Sequence, residues 1–135
     1  RIAANDFWTG YRETALSPDE LLIAVHIVIH PHDTLVYRKV GTRMAQSISK
    51  VVLGGRLRTA EGVVTQARVA LGSVAAVPVR LLAVESALVG SAINPSAADL
   101  VSDEIQPIDD VRSSASYRTA VATRIIRSWL ESAAQ

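Results

Sequence analysis

Four cations, Arg38, Lys39, Arg43 and Lys50, fall within thirteen residues and lead directly into an apolar run that begins with Val51. Strand-compatible residues (Tyr37, Val40, Ile48, Val51) flank a Gly41-Thr42-Arg43 turn, so the cations belong at the rim of a sheet. On charge pattern alone this is a solvated strand rim. The functional alternative is an electropositive edge that faces an anionic cofactor or a second domain.

The remaining chemistry-bearing residues have simpler explanations. His26, His30 and His32 are close in sequence, and His30 and His32 would share a strand face, but Pro31 separates them and no carboxylate cluster accompanies them. A turn with exposed imidazoles explains them, and no metal is assigned. Asp109-Asp110 stand before Arg112 and Ser113-Ser114, where carboxylates favour the positive end of a helix rather than form an acid/base pair. Ser73, Ser113 and Ser114 lack a glycine elbow and a histidine partner pattern, so no hydrolytic triad is assigned. Neither G-x-G-x-x-G nor a P-loop occurs, so the chain brings no phosphate cradle of its own.

Composition narrows the classes further. A length of 135 residues is one domain, 1–135, with a single core. Hydrophobic content of 49%, charged content of 20% and a net charge of +1 describe an ordinary globular domain and argue against nucleic-acid binding. The lack of cysteine excludes disulfides, thiolate catalysis, zinc fingers and cysteine-bound iron–sulfur clusters within this chain, and makes an intracellular, cytoplasmic compartment the default. Apolar runs such as Leu21 to Ile29 fall far short of the ~20 residues of a membrane span, and no charged-then-apolar leader opens the chain. The first residue is Arg1, and the opening ten residues carry no signal that would begin an independent domain, as expected of an excised or processed piece.

The elements that must position these groups follow from periodicity. Leu21, Ile23, Val25, Ile27 and Ile29 alternate as a strand over Glu20 to Ile29, whose other face, Leu22, Ala24, His26 and Val28, is also largely apolar. His30-Pro31-His32-Asp33 predicts a reversal into a second strand, Leu35 to Val40. A third strand spans Ile48 to Arg58, with Gly54-Gly55 marking a bulge or a close backbone approach. After a turn at Thr59-Ala60-Glu61-Gly62 comes a fourth, Val63 to Ser73, with Val63, Thr65, Ala67, Val69 and Leu71 on one face. Beyond Pro78 the period becomes helical. Pro78 fits the first turn of a helix that stops at Gly90, and Asn94-Pro95 starts a second helix running to about Glu104. A third is capped by Ser113 or Ser114, with Tyr117, Val121, Ile125 and Trp129 in line and an end near Ser132. This pattern is α+β: a four-stranded antiparallel meander with three helices on one face. The helices should cover Ile23, Val25 and Ile27 and leave the Leu22 side as a patch for docking.

Read in order, Asp6-Phe7-Trp8-Thr9-Gly10-Tyr11-Arg12-Glu13-Thr14-Ala15-Leu16 with Pro18-Asp19-Glu20 resembles the segment that opens the C-terminal domain of flavoprotein subunits in molybdenum hydroxylases, the family of xanthine dehydrogenase and carbon monoxide dehydrogenase. The resemblance continues through Tyr37 to Arg43, Ile48 to Val51, Ala67 to Ala75 with Pro78-Val79-Arg80, Glu85 to Gly90, and Asp109-Asp110-Val111-Arg112-Ser113-Ser114-Ala115-Ser116-Tyr117-Arg118. It implies an FAD held mainly by preceding domains absent from this chain, with Leu22 and Lys39 matching an apolar residue and a lysine at the flavin. It also implies partners: a large subunit with the molybdenum cofactor and a small subunit with two-iron, two-sulfur clusters, in electron transfer to FAD. The domain alone would be inactive. Met44-Ala45-Gln46 stands where many members have a second arginine and acidic residues. A docking or dimerisation domain without flavin contact is the alternative.

Overall fold

The computed structural model describes residues 1–28, 30–44 and 46–135. The chain opens with a short helix, α1 (Ala4–Phe7), and a two-stranded antiparallel hairpin, β1 (Trp8–Gly10) and β2 (Glu13–Thr14). The main sheet holds β3 (Asp33–Val40), β4 (Val51–Ala60), β5 (Val63–Gly72) and β6 (Val79–Arg80), antiparallel in the order β3-β4-β5-β6. Glu61 and Gly62 join β4 to β5 with φ of 50° and 78°, the paired positive angles of a tight hairpin turn that matches strand twist.

The α+β architecture agrees with the sequence reading, but its strands are not all the expected ones. Residues 20–28 form no strand, and Ile29, the end of the expected first strand, lies outside the described residues. The fourth strand is instead β6, which pairs Ala70 with Arg80 and Leu71 with Val79. Pro78 immediately precedes β6 rather than opening a helix, a position where its missing N–H costs no ladder bond. A second correction concerns β5. The register slips beyond the Arg58–Gln66 pair, leaving Thr65 as an extra residue whose hydroxyl donates to the Arg58 carbonyl at 3.1 Å. Strand phase inverts across this bulge, so Val64 is buried with Ala67, Val69 and Leu71, while Val63 and Thr65 are exposed.

Three helical segments cover one face: α2 (Leu82–Leu88), a 3₁₀ turn (Pro95–Leu100) continuing into α3 (Val101–Glu104), and α4 (Ala115–Ala133). Asn94 caps the second, its side-chain oxygen accepting from Ser96 N at 3.0 Å, and Ser114 caps α4 through Tyr117 N at 3.2 Å. Val51, Leu53 and Leu57 of β4 and the β5 set meet Val84 and Leu88 of α2 and Ile126 and Leu130 of α4 in one core. The buried stripe of α4 is Arg118, Ala122, Ile125, Ile126, Trp129 and Leu130, rotated from the expected line so that Tyr117 is exposed. Among the described residues no helix is long and apolar enough to cross a membrane.

Candidate functional site

Alternation along β3 puts Val36 and Val40 against the helix-covered core and turns Asp33, Leu35, Tyr37 and Lys39 to the open face of the sheet. Beyond Val40 the chain leaves the sheet and returns at Lys50, whose N–H donates to the Val40 carbonyl at 2.7 Å. Inside this loop Arg43 donates through Nε and Nη2 to the Gln46 carbonyl at 3.1 and 2.6 Å, and the Ser47 hydroxyl donates to the Arg43 carbonyl at 3.0 Å. The Lys50 ammonium lies 5.0 Å from the Tyr117 ring centroid, within cation–π range.

The structure therefore divides the four-cation group. Arg43 and Lys50 join Arg112 and Ser47 around a cavity of about 330 Å³. Arg38 and Lys39 stand exposed on β3 and do not line it. In the expected departure segment, Met44 is fully exposed and Ala45 lies outside the described residues.

Sequence periodicity missed what holds this cavity in place. Arg118, only 4% exposed, reaches out of α4 and donates from Nη1 to the Lys50 and Ser73 carbonyls at 3.1 and 2.8 Å. Its Nη2 donates to Asp110 Oδ1 at 2.8 Å. Asp110 accepts from Arg112 N and Ser113 N as well, at 2.9 and 3.0 Å. The Arg112 amide bond, followed by the Arg118 contact, holds its carboxyl below the ordinary value of 3.8 despite partial burial. Asp109 accepts from Ala115 N at 2.6 Å and so serves the start of α4, as its sequence position implied, whereas Asp110 braces the turn before the helix and the Arg118 guanidinium. The one warning of a buried arginine was its place after Tyr117 in the last resembling motif.

The open sheet face forms a groove of about 600 Å³, floored by residues such as Leu35, Tyr37, Gly54 and Ala70, with Ile27 and Val28 alongside. Arginines rim it, each already paired. Asp33 receives Arg58 at 2.8 Å and Arg56 at 3.3 Å, and Glu85 on α2 receives Arg80 and, at 3.6 Å, Arg68. The Arg58 hydrogen bonds, supplemented by the charges of Arg58, Arg56 and His30, hold the Asp33 carboxyl below its usual value against the opposing effect of burial. Glu85 also accepts from Val69 N at 2.8 Å, a structural task that ties α2 to β5. Paired charges around an apolar floor suit contact with another surface rather than proton transfer.

Leu22 and Lys39 are both exposed, and neither lines either cavity. Leu22 lies in 20–28, so no strand ladder sets it against Lys39. His26, His30 and His32 are exposed too.

Comparison with known proteins places this arrangement. The profile of the CO dehydrogenase flavoprotein C-terminal domain matches residues 36–133. The carbon monoxide dehydrogenase medium chain of Afipia carboxidovorans is 32% identical over 144 aligned positions, covering 98% of this chain and 47% of that protein. The xanthine dehydrogenase FAD-binding subunit of Escherichia coli O157:H7 is 26% identical, covering 92% and 42%. Carbon monoxide dehydrogenase from Hydrogenophaga pseudoflava, solved in a form lacking the Mo-pyranopterin moiety of the molybdenum cofactor, superposes with a TM-score of 0.86 at 26% identity, over 94% of this chain and 46% of that one. This chain spans less than half the length of these relatives.

Proposed function

The chain belongs to the CO dehydrogenase flavoprotein C-terminal domain family, and from that premise we propose that it forms part of the flavin wall and the subunit contacts of an FAD-binding subunit in a molybdenum hydroxylase. The observation that carries the reading is the family profile over 36–133 together with the 0.86 superposition on a carbon monoxide dehydrogenase chain. The part with the packed core, Val51 to Leu130, would sit beside the flavin domains.

The chain's own chemistry fits a minor share of an FAD site. It has no glycine-rich phosphate loop, so the dinucleotide's phosphates must be held elsewhere. What it offers is an exposed lysine, Lys39, on a sheet face that also carries exposed Leu35 and Tyr37, and the exposed apolar Leu22. A cation beside apolar contacts suits the polar edge and flat body of an isoalloxazine ring. Lys39 and Leu22 are the residues assigned to that contact. FAD, when bound, would supply the redox chemistry, taking electrons from a molybdenum cofactor in a large subunit through two-iron, two-sulfur clusters in a small one. A cytoplasmic location goes with that assembly.

Isothermal titration tests the reading. The complete polypeptide should bind FAD tightly and residues 1–135 alone weakly or not at all. Submicromolar binding by 1–135 alone would show that the main site has been misplaced. A complete polypeptide that holds no flavin would leave the docking-domain alternative, to which the apolar groove also lends itself.

A further inference from the structure

No described residue before Asp33 is buried, and the whole core lies between Val51 and Leu130. Within that opening stretch the run Leu21-Leu22-Ile23-Ala24-Val25-His26-Ile27-Val28 carries no charged Asp, Glu, Lys or Arg and is exposed throughout, Ile23 at 93% and Leu22 at 58%. One phase, Leu21, Ile23, Val25 and Ile27, is wholly apolar, and the other, Leu22, Ala24, His26 and Val28, is apolar but for His26. That is the pattern of a strand covered on both faces, not of one with a wet side.

The sheet of this domain cannot provide such a place. Its helices cover one face only, and the other is the open groove bearing Leu35 and Tyr37, where Ile27 and Val28 stand alongside yet stay 75% and 72% exposed. Added at the free edge of β3, the run would leave one apolar phase in water. It would also present an uncharged edge of the kind that invites aggregation. Polar punctuation bounds it on both sides, Asp19-Glu20 before and His30-Pro31-His32-Asp33 after, so its eight residues have the length of an ordinary strand.

The relatives align over 92% to 98% of this chain, so the alignments take in this run, yet the domain profile begins only at residue 36. More than half of each relative's length lies outside the match, ample for a second body with a sheet of its own.

We propose that residues 21–28 form an interior strand of a β-sheet in the remainder of the same polypeptide, covered there on both faces. The domain is then joined to its neighbour by a strand as well as by surface contact. This inference rests on the reading of the chain as part of a longer flavin-binding subunit.

Amide hydrogen exchange on the complete polypeptide tests it, with flavin content measured on the same sample. Amides of 21–28 should exchange as slowly as those of β4, on the order of a hundredfold or more below unstructured rates. Leu22→Lys and Ile23→Lys, one on each phase, should both abolish that protection. Free exchange in the wild type overturns the proposal, whether or not the variants fold. Sensitivity of one phase only, or protection that rises with protein concentration as a second copy would cause, overturns it equally. Protection without bound flavin supports the strand and removes the flavin reading, and bound flavin with free exchange does the reverse.

Discussion

The Trp129 indole of α4 lies directly on the bare Cα of Gly55 in β4: a Cβ on that glycine would stand 2.5 Å from the ring's Cη2. Val36 closes in from β3, its Cγ1 2.7 Å from the same point. Glycine is required here for space rather than for backbone angle, because the missing side chain lets the longest helix reach the sheet. Gly55→Ala is therefore expected to cost roughly 1–3 kcal/mol through overpacking, whereas Gly54→Ala, with nothing within 4 Å, should be near neutral. Urea denaturation of the two variants checks the contrast.

Asp33 at the start of β3 faces Arg58 across the ladder and also receives Arg56, and its side chain is 1% exposed. Its carboxyl titrates below the ordinary 3.8, so in acid the unfolded chain takes up the proton first. Its stabilising contribution is complete above that ordinary value and is lost as pH falls through the lower folded value. Denaturation midpoints measured from about pH 5 down to about pH 2 should fall less steeply for Asp33→Asn than for the wild type. Parallel curves would remove the assignment.

Arg118 is the pin of the Lys50–Ser73–Asp110 junction. Its removal takes a donor from two backbone carbonyls and leaves Asp110 with its bonds from Arg112 N and Ser113 N, so Arg118→Ala should cost about 1–3 kcal/mol. Arg118→Lys keeps the charge but not the fork that reaches both carbonyls, and should recover only part of that stability. Chemical denaturation measures both. Ser73, held at φ 67°, should be the first residue whose backbone signals shift.

What was legible in the sequence follows from which interactions are local. Asn94 was readable as a cap, and the last helix's cap as Ser113 or Ser114, because a cap is written within a few residues. The α+β class followed from the change of period at Pro78. The Thr65 bulge left no such trace, since a register slip is decided by the pairing strand, and it exchanged Val64 for Val63 in the core. The run over 21–28 was readable as a strand pattern but not as one without a place in this sheet: alternation says how a segment packs, never against what. At the candidate site, Leu22 and Lys39 came from resemblance. The cavity of Arg43, Lys50 and Arg112 required a fold that brings residue 112 back to the loop.

Lys39 and Leu22 give the flavin-wall reading its residue-level test. Lys39 is an exposed lysine on β3 with no ion pair among the described residues, so Lys39→Ala should change stability by less than about 0.5 kcal/mol. In the complete polypeptide the same change should nonetheless weaken FAD binding or alter its reduction, because a cation near the ring stabilises the reduced, more negative flavin. Leu22→Asp should do greater harm, since it puts a charge where an apolar side chain must be desolvated. Flavin content by absorbance and the rate of electron transfer through the assembled enzyme are the readouts, with thermal denaturation separating loss of fold from loss of flavin. If both variants kept wild-type flavin content and electron-transfer rate, the contact would be unsupported, and a docking domain without flavin contact would become the better account of the open apolar face.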